Sequence, residues 1–595
     1  MNTVAGPRRA RLPNFRLPLL VGAALALPAL VQAQGLPNPP TREDLTVGRD
    51  QTPDRTSRLT VEGDIERGPC PLADPAFADT RVTFSTVEFG NLPGIPASVL
   101  EPAWRDLAGQ DMPVAALCEV RDRAATILRG LGYLAAVQVP PQRIEPNGTV
   151  HMDILAAKLV EVQLRGDAGR SERLIEAHLA KLTQQEWFNT RDAERHLLLL
   201  EDLPGYDVRL VLRSAGGQPG EVVGDVVITR RAFDLVAGVQ NLGSRETGRE
   251  GAFVGFTAND LIGLGDRTSI TWYNTLDWDE QSIITFSHDF AVGADGLRAG
   301  ASVLVGRSRP DVGAPFETDT LTGEWHLSYP IIRRQAHTLI ATGGLELVEQ
   351  EIEFGDTLLS EDHLRVAFIH LDHAMVDEAS VRGAGGSSAA EPLWRTGLSL
   401  DLRQGLDIFG ASDECSPLAV CLPPNVPISN FFADPTSFVA RLRGTVEIRP
   451  IPVVTFAMSP SAQISDGPLL SYEQISFGNY TVGRGFDPGV AVGDTGVGAS
   501  FEVRYGSLYA RGDKPLALQP FAFLDIAKAW LDDDILAPDP RRVLSVGGGV
   551  RGRWGDIADF GLIVAVPLER AGYQADKGDV RLLFTVTTRL LDMGE

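Results

Sequence analysis

Beyond its N-terminus this chain of 595 residues has no apolar run of about 20 residues, which excludes a helical membrane protein of its size. It also lacks a basic surplus. A formal net charge of -24 removes the electrostatic footprint that a nucleic-acid binder needs, so no nucleic-acid partner is expected. The 4 cysteines and 9 histidines show no zinc-ligand spacing, so no metal is expected. No local signature joins Ser, His and Asp, or Cys and His, into a nucleophilic set. The chain is therefore not expected to be an enzyme or to need a cofactor. Only 6 Met stand beside 61 Gly, and mean hydropathy is -0.02. That balance fits a soluble β-rich protein or a β-barrel, whose lipid-facing and lumen-facing residues average out.

At the N-terminus, Arg8, Arg9, Arg11 and Arg16 precede an apolar stretch from Leu17 to Leu30, and Val31-Gln32-Ala33 offers small residues for cleavage. Residues 1–33 read as a secretory signal peptide. In an exported chain, cysteines pair: Cys70 with Cys118 would staple one small domain, and Cys415 with Cys421 would close a short loop. Residues 34–80, rich in Pro, Asp, Arg and Gly, read as a tail or linker with a possible short plug helix.

Residues 81–156 carry the pattern β-α-α-β-β. A strand over Val82–Phe89 is followed by a short helix over Ile95–Leu107 and a longer one from Pro113, whose Leu117, Val120, Ala124, Leu128 and Leu131 share one face. Two strands close the unit. Residues 157–231 repeat the plan, with Asn189 or Thr190 capping the second helix.

From residue 232 to 595 helical periodicity disappears. Leu321, Gly323, Trp325, Leu327 and Tyr329 alternate with Thr322, Glu324, His326 and Ser328, and Leu582, Phe584 and Val586 alternate with Arg581, Leu583 and Thr585. Strands of about ten residues, apolar on one face and polar on the other, are the signature of a membrane barrel with a wet lumen. At about 23 residues per strand and turn, the region holds about sixteen antiparallel strands. His326, His370 and His373 fall in such strands, where a polar lumen or interface position accounts for them. Gly547, Gly549 and Gly552 match G-x-G-x-x-G, but no helix follows, so they read as strand glycines.

Late in this region lies Thr481-Val482-Gly483-Arg484-Gly485-Phe486-Asp487, a tight turn holding one planar, permanently charged donor fork between glycines. With an export signal, two repeated α+β modules and a barrel, it resembles the B-component transporters of two-partner secretion (TpsB, the ShlB-type haemolysin activation and secretion family). The modules are similar to polypeptide-transport-associated (POTRA) domains. The first carries the Cys70 and Cys118 pair, Leu131-Gly132-Tyr133, and Val139-Pro140-Pro141-Gln142 before Asn147-Gly148. The resemblance implies a long loop folded back into the barrel, with Val482, Gly483, Arg484, Gly485 and Phe486 at its tip. It also implies an inner-strand partner, Phe523 and Asp525 of Phe523-Leu524-Asp525-Ile526-Ala527, where Ala527 stands in place of the family's Gly. The implied function is an outer-membrane pore that secretes a partner exoprotein, unfolded in the periplasm, and works as a monomer in outer-membrane lipid with periplasmic N-terminal domains. The alternatives are a barrel-assembly insertase and, further off, an outer-membrane enzyme.

Overall fold

The computed structural model describes residues 39–46, 61–62, 70–216, 220–383, 387–510, 515–532, 541–571 and 577–594. The expected signal peptide at 1–33 and much of the 34–80 tail lie outside them.

In the first α+β module, strand Phe84–Gly90 pairs parallel with Gly148–Ala156, which pairs antiparallel with Ala135–Gln138. Helix Ala116–Gly130 packs Leu117, Val120, Ala124 and Leu128 onto that sheet, all of them buried. The helix expected over Ile95–Leu107 is instead a 3-10 segment, Ala97–Ala103, followed by turns. Pro102 sits inside it and has no N–H to give an α-helical ladder, so apolar spacing alone misjudged the element. Cys70 and Cys118 form a disulfide that ties the preceding segment to the long helix.

The second module places helices Glu172–Leu182 and Thr190–Glu201 against strands Lys158–Gly166 and Tyr206–Ser214. Asn189 caps the second helix by accepting from the Arg191 N–H at 2.9 Å. Both strands pair with Glu221–Gln240, which runs on into the barrel, so one continuous strand joins the module to the pore.

That strand is β1 of a closed antiparallel barrel of 16 strands. The next are β2 (Gly251–Asn259), β3 (Arg267–Thr275), β4 (Gln281–Ala291), β5 (Arg298–Ser308) and β6 (Phe316–Arg333). Then come β7 (His337–Phe354), β8 (Thr357–Val376), β9 (Trp394–Gly405), β10 (Phe438–Ile451) and β11 (Val454–Ser465). The last five are β12 (Thr495–Tyr505), β13 (Leu516–Trp530), β14 (Arg541–Trp554), β15 (Ala558–Pro567) and β16 (Arg581–Gly594). The barrel closes where β16 pairs with β1, from Thr585 opposite Gln240 to Gly594 opposite Arg231. Beyond the last paired residue the Asn241 side chain continues the ladder, donating to the Leu582 carbonyl at 2.8 Å and accepting from the Phe584 N–H at 2.7 Å. The wall alternates as its sequence pattern requires: on β13, Leu524 and Ile526 are exposed outward while Phe523 and Asp525 are buried inward.

Strands β6, β7 and β8 outrun their neighbours, and β9 pairs only with Val366–Val376 of β8. The exposed upper edge of β8 would be a template for foreign strands. The loop 406–437 covers it: Leu406 N–H donates to the Arg365 carbonyl, Ser412 N–H to His363, and Glu361 N–H to Pro427. The Cys415–Cys421 disulfide lies within this cover.

The second module is seated on the turns at one end of the barrel. Arg333 of β6 grips Asp202 through two bonds of 2.7 Å, and the Gln335 N–H donates to Glu194 at 2.6 Å. On the other side, Tyr206 donates to Asp260 at 3.0 Å, and the Gly265 N–H donates to Ser171 at 2.7 Å.

Candidate functional site

Polar inner walls would leave the lumen open, yet two inserts occupy it. The first is the loop 466–494 between β11 and β12, which folds inward on a small two-stranded base, Ile475–Phe477 with Ala491–Gly493. At its tip the backbone N–H of Arg484 donates to Asp525 Oδ2 at 2.9 Å, Nε to the same oxygen at 3.0 Å, and Nη2 to Oδ1 at 2.6 Å. The guanidinium also lies 3.7 Å from the Phe523 ring centroid, a cation–π contact in a water-poor site. Ser500 donates to Asp525 Oδ1 at 2.7 Å, and the Gly485 N–H donates to Ser545 at 3.2 Å. Asp525 is fully buried.

The glycines of the turn are needed for close approach. A Cβ on Gly483, whose φ is +130°, would lie 2.5 Å from Val543 Cγ1, and one on Gly485 would lie 2.7 Å from Ser545 Cβ. Val482 and Phe486 enter a buried apolar cluster with Phe477, Ala527 and Val543. The Ala527 methyl is accommodated because Gly498 faces it from β12; a Cβ there would come within 2.8 Å of it. The structure thus brings Val482, Gly483, Arg484, Gly485, Phe486, Phe523 and Asp525 together. Cys70, Cys118, Cys415 and Cys421 lie elsewhere, in the first module and the loop over β8.

Sequence reasoning missed a second carboxylate. Glu502 of β12 accepts from Arg484 Nη1 at 2.5 Å, from Arg551 at 2.7 and 2.9 Å, and from Arg504 at 2.7 Å. Arg504 passes the chain on to Glu447 at 2.7 Å, and Arg395 meets the same carboxylate at 2.6 Å. The inward parity of Ser500, Glu502 and Arg504 along β12 was the available signal.

The second insert is the short helix Arg42–Leu45. Glu43 pairs with Arg441 of β10 at 2.8 Å and with Arg443 at 3.4 Å. Gln350 of β7 donates to the Pro40 carbonyl at 3.1 Å, and Leu45 packs among Phe253, Tyr273, Ile283 and Leu304. Arg441 also donates to the Glu473 carbonyl of the inward loop at 3.2 Å. The Glu473 side chain meets Arg403 of β9, which bonds Glu346 of β7 at 2.5 Å. Helix and loop therefore rest on neighbouring arginines of one wall.

The model of the haemolysin secretion/activation protein family ShlB/FhaC/HecB matches residues 225–552, more than half of the chain. The chain belongs to this family. A heme/hemopexin transporter protein, HuxB of Haemophilus influenzae (strain 86-028NP), is 25% identical over 238 residues, 38% of this chain. The aligned stretch spans only 41% of that relative's length. The structure of CdiB from Escherichia coli superposes with a TM-score of 0.67 at 16% identity, covering 89% of this chain and 94% of CdiB. CdiB from Acinetobacter baumannii gives 0.59 at 16% identity, over 98% and 100%. These structural likenesses show a shared fold, a barrel behind two α+β modules; membership of the family places the chain in the outer membrane with its N-terminal modules in the periplasm.

Proposed function

We propose that this chain is an outer-membrane translocation pore that secretes a partner exoprotein, binding it unfolded through its periplasmic modules and passing it through the barrel. One observation carries the reading: the lumen is filled by two inserts, a loop and a four-residue helix, each held to the wall by buried ion pairs beside a small apolar cluster. Inserts held this way can leave and be replaced by an extended chain, whose backbone stays solvated along a polar wall. Among the described residues, Ala135–Gln138 is an edge strand of the first module and can hold such a chain by main-chain hydrogen bonds with little sequence demand, whereas Tyr206–Ser214 of the second is already edged by Val61–Glu62. The proposal includes residues 34–80 as a tail carrying a plug helix, 81–156 and 157–231 as the capture modules, and a monomer in outer-membrane lipid. It needs no cofactor and no catalytic step.

The insertase alternative requires the barrel to open sideways at its seam. Here β16 and β1 are paired along that seam and the Asn241 amide extends the ladder, which favours passage through the lumen. The test is export of a co-expressed candidate exoprotein by cells that carry or lack this chain. The partner should reach the medium only with the chain present, while levels of other outer-membrane barrels stay unchanged. Loss of those barrels with partner export intact would overturn the reading in favour of the insertase.

A further inference from the structure

Two histidines lie outside the lumen network. His337 opens β7 and His373 lies near the end of β8, and their Nε2 atoms are 3.1 Å apart with the rings at 82°. Register sets their face. On β8, His373 shares parity with Ile369, which is 52% exposed on the lipid side, and it pairs with Leu339 of β7. His337 therefore points outward too, just below the lipid-facing Leu339, Ala341, Leu345 and Leu347. It exchanges backbone bonds with Arg334 across the periplasmic hairpin, at the level where the apolar band meets water. Met375 is the residue directly opposite His337 and lies two positions from His373 on the same face.

The geometry points to a surface site for one transition-metal ion, copper above all, held by His337 Nε2, His373 Nε2 and the Met375 thioether at the periplasmic rim of the barrel. With metal–nitrogen bonds of about 2.0–2.1 Å, two imidazoles at a right angle stand about 2.9 Å apart, and at a tetrahedral angle about 3.4 Å. The observed spacing falls between these, so small ring rotations admit an ion. Now one Nε2–H donates to the other Nε2. On binding, the donor ring's proton moves to Nδ1, both lone pairs face the ion, and no net charge is lost. Two imidazoles alone suit several divalent ions, whereas adding a thioether selects copper, above all Cu(I).

The experiment uses the full-length protein in detergent, titrated with Cu(II) and followed by electron paramagnetic resonance, and with Cu(I) under a competing chelator. Barrel folding of each variant is checked by heat-modifiable gel mobility. One equivalent of Cu(II) should bind with splitting from two imidazole nitrogens, and His337→Ala and His373→Ala should each weaken it at least about tenfold. Met375→Leu should leave Cu(II) within about threefold and weaken Cu(I) about tenfold. Copper uptake equal in wild type and a folded His337→Ala/His373→Ala double variant would overturn the site. Unchanged Cu(I) affinity in Met375→Leu would overturn the thioether's part. Because the readout is metal binding alone, it stands or falls independently of the secretion proposal.

Discussion

Removing Asp525 or Arg484 should release the inward loop, but not equally. In Arg484→Ala, Asp525 remains buried and loses its cation, keeping only the backbone N–H of residue 484 and the Ser500 and Ser545 hydroxyls as partners. A desolvated carboxylate that loses its cation costs about 3–5 kcal/mol. In Asp525→Ala, Arg484 keeps Glu502 at 2.5 Å, so the cost should fall nearer about 2 kcal/mol. The double variant leaves neither charge stranded at that point and should cost less than the sum, with a coupling of about 2 kcal/mol. Since about 1.4 kcal/mol is tenfold, that coupling is about 30-fold in the ratio of open to closed loop. The assay is the open probability of purified protein in planar bilayers across the four forms of the cycle, with barrel integrity checked separately. Each single variant should open more often than wild type. Strictly additive singles would refute the pairing argument, and a folded Arg484→Ala barrel that gates like wild type would refute the loop's role as a closure.

Glu43→Ala removes the carboxylate from fully buried Arg441 and should raise bilayer conductance, weakening the helix's hold on the wall by about 2–4 kcal/mol. Unchanged conductance in Glu43→Ala, with residues 34–80 otherwise intact, would count against a plugging role. The double variant Cys415→Ser/Cys421→Ser should lose about 2 kcal/mol of local stability by chain entropy, read as faster hydrogen exchange in 406–437 with the barrel's melting unchanged. Closure of the longer Cys70–Cys118 loop is worth about 4 kcal/mol, so Cys118→Ser should lower the first module's melting temperature measurably. His178, buried in the second module with Nδ1 unpaired, has its pKa pushed down to about 4 by burial and then by Lys181 and His196, with Asp295 opposing. The unfolded chain thus binds the proton more readily, so the module should lose about 2–3 kcal/mol as pH falls from about 6.5 toward 4. His178→Gln should flatten that dependence in a thermal melt, and an equal pH slope in wild type and variant would sink it.

Local pattern determined a good deal by itself. Alternation with period two assigns each side chain of a strand to lipid or lumen without reference to any partner, which is why Trp325, Leu327 and Leu582 lie outside and the sixteen-strand estimate matches. The glycines around Arg484 announced a close-packed turn because backbone freedom is a property of the residue itself. Where a local rule competed with another, pattern was weaker: apolar spacing suggested a helix at Ile95–Leu107, and Pro102 held it to a 3-10 turn. Tertiary structure alone decided who meets whom across the lumen. Glu43 reaches Arg441, 398 positions along the chain, and Arg484 finds Glu502 as well as Asp525, because barrel closure and strand stagger set which inward side chains share a height. The same closure left β8 longer than β9, and that mismatch gave the loop 406–437 an edge to cover. The register of the β7–β8 hairpin brought His337 beside His373, two strand positions out of direct register, on the outward face of the wall.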